Sequence, residues 1–197
     1  MQKVITYSNG HSEIVDISPM PVEIPVRYFD DTLPEIGYVE GRKSDWIDLR
    51  AGRSMFIVEG TYVMIPLAIA MALPSGYEAH IIPRSSTFKN FGLIQTNSEG
   101  MVDESYCGND DQWHFPAYLV PGYGKQYAYY DKDNVLQIVS KREDVPAGKT
   151  VLRGTWVAAG DRLCQFRIVE HMPPVTFKPV PRLEGANRGG FGTTGKA

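Results

Sequence analysis

The stretch Gly100-Met101-Val102-Asp103-Glu104-Ser105-Tyr106-Cys107-Gly108-Asn109-Asp110 sets a carboxylate and a phenol three residues apart between two glycines. A carboxylate so placed can orient a water and take its proton, and a phenol can lie flat against another ring. The glycines permit positive φ and let a ligand approach the backbone. The pattern predicts a tight β-hairpin with an edge facing something polar. On these residues alone the ordinary reading of Asp103 is a loop-capping carboxylate, as for most aspartates near turns. The choice depends on what other segments bring to it.

Other segments offer phosphate chemistry. In Pro83-Arg84-Ser85-Ser86-Thr87-Phe88-Lys89 a proline stops a strand and Ser-Ser-Thr can cap one helical turn. Amides at such a start, with Arg84 as a bidentate donor, suit phosphate; an ordinary capped turn is the other reading. Gly160-Asp161-Arg162-Leu163-Cys164-Gln165-Phe166-Arg167-Ile168-Val169 reads as a turn and a strand. Alternation puts Leu163, Gln165, Arg167 and Val169 on one face, with Cys164, Phe166 and Ile168 on a buried stripe. The tail Arg188-Gly189-Gly190-Phe191-Gly192-Thr193-Thr194-Gly195-Lys196-Ala197 has the spacing of GxGxxG and most of a Walker A loop. Both are rejected, since each requires a helix after it. What remains is a set of amides free to wrap phosphate, an arginine, two hydroxyls and one aromatic ring able to cover a base.

The elements that must position these groups read as strands. The 19 glycines and 14 prolines are spread throughout the 197 residues and leave few windows for helices, so an all-β fold is expected. Residues 1 to about 33, with Pro19, Pro21 and Pro25, read as an edge strand and arm. In Lys43-Ser44-Asp45-Trp46-Ile47-Asp48-Leu49-Arg50, Asp45 and Asp48 point to different faces, and a strand-end carboxylate in solvent is the plain reading of Asp48. Ile65 to Leu73 alternates large and small side chains, as one strand with one filled face. Pro74-Ser75-Gly76 turns it, and Tyr77 to Ile82 returns as its partner. His80 is then a sheet side chain, and no histidine or cysteine stands at zinc spacing from it. The tyrosine-rich residues from Gln112 to Gly154 suggest an extra hairpin or a subunit contact.

Length bounds the chain to one β domain over residues 1–183, and residues 184–197 form a mobile tail. A net charge of −3 disfavours nucleic acid as a partner but not a small phosphorylated ligand. The apolar run from Tyr62 contains Pro66 and is too short for a bilayer, so no membrane is expected. Cys107 and Cys164 are the only cysteines, and Met1-Gln2-Lys3-Val4-Ile5 lacks the layout of a secretion signal. The expected setting is a reducing cytoplasm.

Five separated stretches, in order, resemble the five motifs of the trimeric dUTP diphosphatases (dUTPases): Asp48-Leu49, Pro83-Arg84-Ser85-Ser86, Gly100 to Gly108, Gly160 to Gln165, and Arg188 to Gly195. The resemblance implies a distorted jelly-roll-like β fold and a homotrimer whose active sites borrow motifs from three subunits. It implies that Asp103 is the general base, orienting a water for in-line attack on the α-phosphorus of dUTP to give dUMP and pyrophosphate. Tyr106 would lie beneath the deoxyribose, and the backbone of Gly100, Met101 and Val102 would read the uracil edge, with Asn97 lining the pocket. Arg84, Ser85, Ser86 and Gln165 would hold the phosphates. Phe191 would stack on uracil from a C-terminal lid, with Arg188, Gly192, Thr193 and Thr194 completing the grip. Magnesium would ride on the triphosphate and reach Asp48 only through water.

The sequence departs from the pattern at Asn109, where the family commonly has glutamate, and at Trp46-Ile47 before the first motif. A longer connection between Tyr106 and Gly160 implies an insertion at about 112–154. Two other functions stand beside the main one. A dCTP deaminase of the same fold would require a glutamate where Trp113 stands, with Asp110 and Asp111 out of register. A non-catalytic nucleotide-sensing trimer would keep binding without turnover.

Overall fold

Apolar positions that alternate with polar ones and stop at glycine or proline build strands throughout. The computed structural model describes residues 2–6, 8, 10–16, 22–38 and 44–187. In chain order these form β1 (Gln2–Thr6), β2 (Ser12–Asp16), β3 (Val26–Tyr28), β4 (Ile47–Arg50), β5 (Met55–Val58), β6 (Tyr62–Pro66), β7 (Ile69–Met71) and β8 (Tyr77–Pro83). There follow α1 (Thr87–Phe91), β9 (Leu93–Gln95), β10 (Gly100–Asp103), β11 (His114–Leu119), β12 (Gln126–Tyr130), β13 (Leu136–Val139), β14 (Leu152–Val157) and β15 (Arg162–Glu170). The expected all-β class is therefore found, with α1 the one α-helix among the described residues.

The sheet that matters most has the order β10-β8-β15-β4, antiparallel throughout. Its registers sort side chains by chemistry. Gly100, Ile81, Phe166 and Ile47 lie in one row, and Pro83, Cys164 and Leu49 in another, on the face that packs into the core. Met101, His80 and Arg167 form a row on the opposite face, as do Ile82, Gln165 and Asp48. Sheets β6-β11-β9 and β13-β12-β14-β5 complete the main body, with small pairs β3-β7 and β1-β2. At the centre the Trp113 ring meets Phe166 edge-on at 5.4 Å, and both are fully buried. Burial also pushes the Cys164 thiol far above its ordinary range, so it packs as a small hydrophobe.

The structure departs from several sequence expectations. Ile65 to Leu73 is two strands, broken at Leu67-Ala68, where Ala68 takes φ 57°. Leu67, Ala68, Ile69, Ala70 and Met71 are all buried, so the small residues face packed neighbours and not solvent. The break lets Leu67 N–H bond Trp113 O (2.9 Å) while Trp113 N–H bonds Ile69 O (2.8 Å), clamping the core tryptophan on both sides. The segment from Tyr77 does not return on β7: β8 pairs with β10 and β15, where Phe166 and Cys164 complement Ile81 and Pro83. The first residues are more than an arm, because β1 and β2 pair with each other and β3 pairs with β7. In β15 the register shifts between Arg162 and Cys164, a bulge that buries Leu163 as well as Cys164 and overturns the face assigned to Leu163. Residues 112–154 carry β11 to β13 and the start of β14, distributed over two sheets.

Replacing Phe166 by alanine removes the partner of Trp113 in this close-packed centre. We expect a loss of about 3–5 kcal/mol in urea or thermal unfolding, against a small change for the exposed Tyr130→Ala.

Candidate active site

The first cluster lies where β10 forms the edge of its sheet. An edge strand leaves alternate N–H and C=O groups unpaired, and here they border a cleft of about 300 Å³. Asn97, Gly100, Met101, Val102, Asp103 and Tyr106 line it, with Trp113 also contributing. Gly100 is needed for room, not for a positive φ: a Cβ there would sit 3.3 Å from the Ile81 Cβ and 3.6 Å from the side-chain nitrogens of Asn97 and Gln95. Gln95 Nε2 donates to Asn97 Oδ1 (2.8 Å) and Ile81 O (3.1 Å), holding the asparagine from below.

The expected tight hairpin is not formed. Among the described residues β10 pairs only with β8, and the chain then loops through residues 104–113 to enter β11 in another sheet. Side chains fasten that loop in place of a return strand. Glu104 accepts from Gly76 N–H and Ser75, Asp111 accepts from Gly108 N–H (2.7 Å), and Arg27 reaches Asn109 O and the Asp110 carboxylate (3.3 Å). The Tyr106 hydroxyl donates to Gln112 O at 3.3 Å, leaving its ring half-exposed beside the cleft. Asp103 ends β10 exposed on the polar face, opposite Glu78.

The second cluster sits at the far end of the same sheet. Asp48 is not a solvent carboxylate: Arg84 Nε contacts one of its oxygens at 2.7 Å and an Arg162 guanidinium nitrogen the other at 3.1 Å. Gln165 lies directly across from Asp48 on β15. Ser86 caps α1 through its backbone, with no side-chain capping bond, so its hydroxyl is not used there; Ser85 beside it is exposed. The predicted helical turn forms, but its Ser-Ser-Thr residues do not cap it as expected. Instead, the Thr87 hydroxyl donates to Leu163 O and ties α1 to the start of β15.

These clusters are separate within one chain. Asp103 stands beside Glu78, and Arg84 comes six residues after Glu78, just past the end of β8 and about 20 Å away at the rise of a strand. One triphosphate cannot span that distance and be held at both ends. Arg188, Phe191, Gly192, Thr193 and Thr194 lie outside the described residues. Sequence reading assigned no site role to Arg162, Gln95 or Trp113, because each earns its place through a cross-strand or inter-sheet neighbour. Among the described residues no group of three or more His, Cys, Asp or Glu could hold a metal, and no helix is long and apolar enough to cross a membrane.

Residues 42–111 match the family model for dUTPase. The SPbeta prophage-derived deoxyuridine 5'-triphosphate nucleotidohydrolase YosS of Bacillus subtilis (strain 168) is 42% identical over 174 residues, covering 88% of this chain and 99% of the relative. In fold, the chain resembles a mutant dUTPase of Staphylococcus bacteriophage 80alpha with dUpNHpp (TM-score 0.63, 16% identity, 88% of this chain and 98% of that one). It also resembles a mutant dUTPase of phage phi11 of S. aureus, described for the coordination of a structural Mg(II) ion (TM-score 0.59, 17% identity, 83% and 100%). With that much identity across nearly the whole of a curated relative, the chain belongs to the dUTPase family.

Proposed function

We propose that this protein is a dUTP diphosphatase, hydrolysing dUTP to dUMP and pyrophosphate. The observation that carries the reading is the cleft at the open edge of β10, where unpaired backbone groups, a phenol and an exposed carboxylate meet. Uracil presents alternating acceptors and a donor, which suits an edge strand, and Gly100 gives it room beside Asn97. Tyr106 lies beneath the deoxyribose, where a ribose 2′-hydroxyl would clash. Asp103 takes a proton from a water aligned behind the α-phosphorus; the new P–O bond forms as the bond to the β-phosphate oxygen breaks and pyrophosphate leaves.

Arg84, Ser85, Ser86 and Gln165 hold the phosphates, from a neighbouring subunit because of the distance within one chain. A homotrimer with shared sites accounts for that separation. The described residues beyond β15 also favour it: Met172, Phe177 and Leu183 are strongly exposed along an irregular, proline-rich stretch, apolar surface that a second copy would cover. Arg188, Phe191, Gly192, Thr193 and Thr194 close over the nucleotide as a lid and exclude water. Both oxygens of Asp48 face arginines, so the donor set does not form a protein cage for Mg²⁺. It fits an ion carried by the triphosphate and reached from Asp48 through water. When bound, Mg²⁺ neutralises charge on the phosphates. A free nucleotide substrate fits a cytoplasmic setting.

Deamination is disfavoured by the same site. Trp113 is buried where a deaminase would need its glutamate, Asp111 is spent on Gly108, and Asp110 faces solvent beside Arg27.

A panel of deoxynucleoside triphosphates with magnesium tests the reading. dUTP should release pyrophosphate efficiently, and dCTP should release neither pyrophosphate nor ammonia; ammonia from dCTP would overturn it. Asp103→Asn should lower kcat by about 10²–10⁴-fold while dUpNHpp binding stays within a few-fold. Ending the chain at Asn187 should leave the trimer intact by light scattering and cut kcat/KM at least about tenfold; full activity in that truncation would remove the lid from the mechanism.

A further inference from the structure

We propose that His80 is a positioning residue of the base pocket, a proton-dependent clamp that fixes the Asn97–Glu99 turn to β8 so that nucleotide affinity falls as pH rises. The proposal rests on the dUTPase reading of the cleft and goes beyond it.

His80 lies on the polar face of the site sheet, in the row with Met101 and Arg167. Its Nδ1 is 2.7 Å from a Glu99 oxygen and its Nε2 is 2.9 Å from a Glu78 oxygen. A neutral imidazole has one bare nitrogen, whose lone pair would face a carboxylate; only the imidazolium donates to both. The hydrogen bond to Glu78 raises the His80 pKa, burial opposes the rise, and Glu99 adds to it by hydrogen bond and charge.

Glu99 gives this contact its functional reach. It lies two residues after Asn97 and directly before Gly100, so it anchors the turn that delivers both to the cleft. That turn is strained: Ser98 takes φ 60°, and Glu99 N–H bonds Asn97 O at 2.6 Å across a single residue. Gln95 secures the turn from the core side, and His80 secures it from the outer face. Among the described residues the register sets two other charged groups beside this cluster, Arg167 on β15 and Asp103 on β10, with Glu104 next after Asp103 in the chain. Arg167 is drawn over the Trp46 ring (5.1 Å), Asp103 lies opposite Glu78, and Glu104 is engaged with Gly76 and Ser75.

A raised folded-state pKa means that the clamp is at full strength below the ordinary histidine value of about 6.5 and is lost as pH rises through the higher folded value. The loosened turn then displaces Asn97 and the start of β10, which act in binding, while Asp103 at the far end of β10 stays in place. The effect therefore falls on KM more than on kcat.

The test compares wild type, His80→Gln, His80→Arg and Glu99→Gln for dUTP hydrolysis from about pH 6 to 9. All four share the substrate's own ionisation, so differences between them belong to the protein. Wild-type KM should rise several-fold on the alkaline side with kcat nearly level. His80→Gln should start with KM about three- to tenfold higher and lack that rise. His80→Arg, a donor charged at every pH, should keep KM low throughout, and Glu99→Gln should move the rise to lower pH. In the nucleotide-free protein, NMR should show the His80 ring titrating above about 6.5, with amide exchange of residues 97–100 quickening over the same range. An unchanged alkaline rise in His80→Gln, or a ring titrating at or below the ordinary value, overturns the clamp. Absence of dUTP turnover in wild type would instead refute the functional reading, and the ring titration would still decide the clamp.

Discussion

The antiparallel register of β8 on β15 is the constraint on which the rest depends. It sets Ile81 beside Phe166 and Pro83 beside Cys164 on one face, and Ile82 beside Gln165 and His80 beside Arg167 on the other. A slip of one residue would exchange the faces, exposing the core aromatics and burying the charges. The same register, continued into β4, brings Asp48 across from Gln165 and within reach of Arg84 and Arg162. Core packing and the proposed phosphate-binding end thus stand or fall together. The apolar face supplies the stability, and the polar face inherits its geometry from it.

From this sheet follows the division of the site. β10 is an edge strand with free backbone groups and can read a base, while the arginines gather where β8 ends and β15 begins. A sheet is stiff along its strands, so the two ends cannot fold toward each other. Catalysis that needs both ends must take one of them from another copy, and the exposed apolar side chains after β15 are surface of the kind such an association covers. Assembly is in that sense part of the proposed chemistry: a lone chain holds the proposed base pocket and the proposed phosphate grip too far apart to share one substrate.

Much of the proposed site was legible in the sequence, because its motifs are local. Asp103, Tyr106 and Gly100 fall within seven residues, and Arg84-Ser85-Ser86 are adjacent. Their grouping needs only chain continuity. What was not legible depends on neighbours far along the chain. Arg162 meets Asp48 across 114 residues of sequence. Trp113 reaches the cleft only because β11 starts against β6, and His80 meets Glu99 because β10 lies beside β8. Alternation placed Cys164 in the core correctly but put Leu163 outside, since a bulge adds a residue that a period of two does not contain. The large-small run from Ile65 to Leu73 was consistent with one strand and proved to be two, because the left-handed Ala68 is stabilised by burial, by its own carbonyl accepting from Phe29 N–H, and by the bonds that Leu67 and Ile69 make to Trp113 on either side of it.

By itself, then, the sequence determined the strand-forming character of the chain, some of its turns and the chemical type of each candidate group. Turn chemistry and period-two patterning act over a few residues and hold before any tertiary contact exists. Only the tertiary structure decided which strands are neighbours, that β10 ends in a fastened loop and not a hairpin, and that Asp103 and Arg84 lie at opposite ends of one sheet. Pairing is chosen by complementarity between segments far apart in sequence, such as Ile81 and Phe166, and such a choice leaves no local signal in either segment alone.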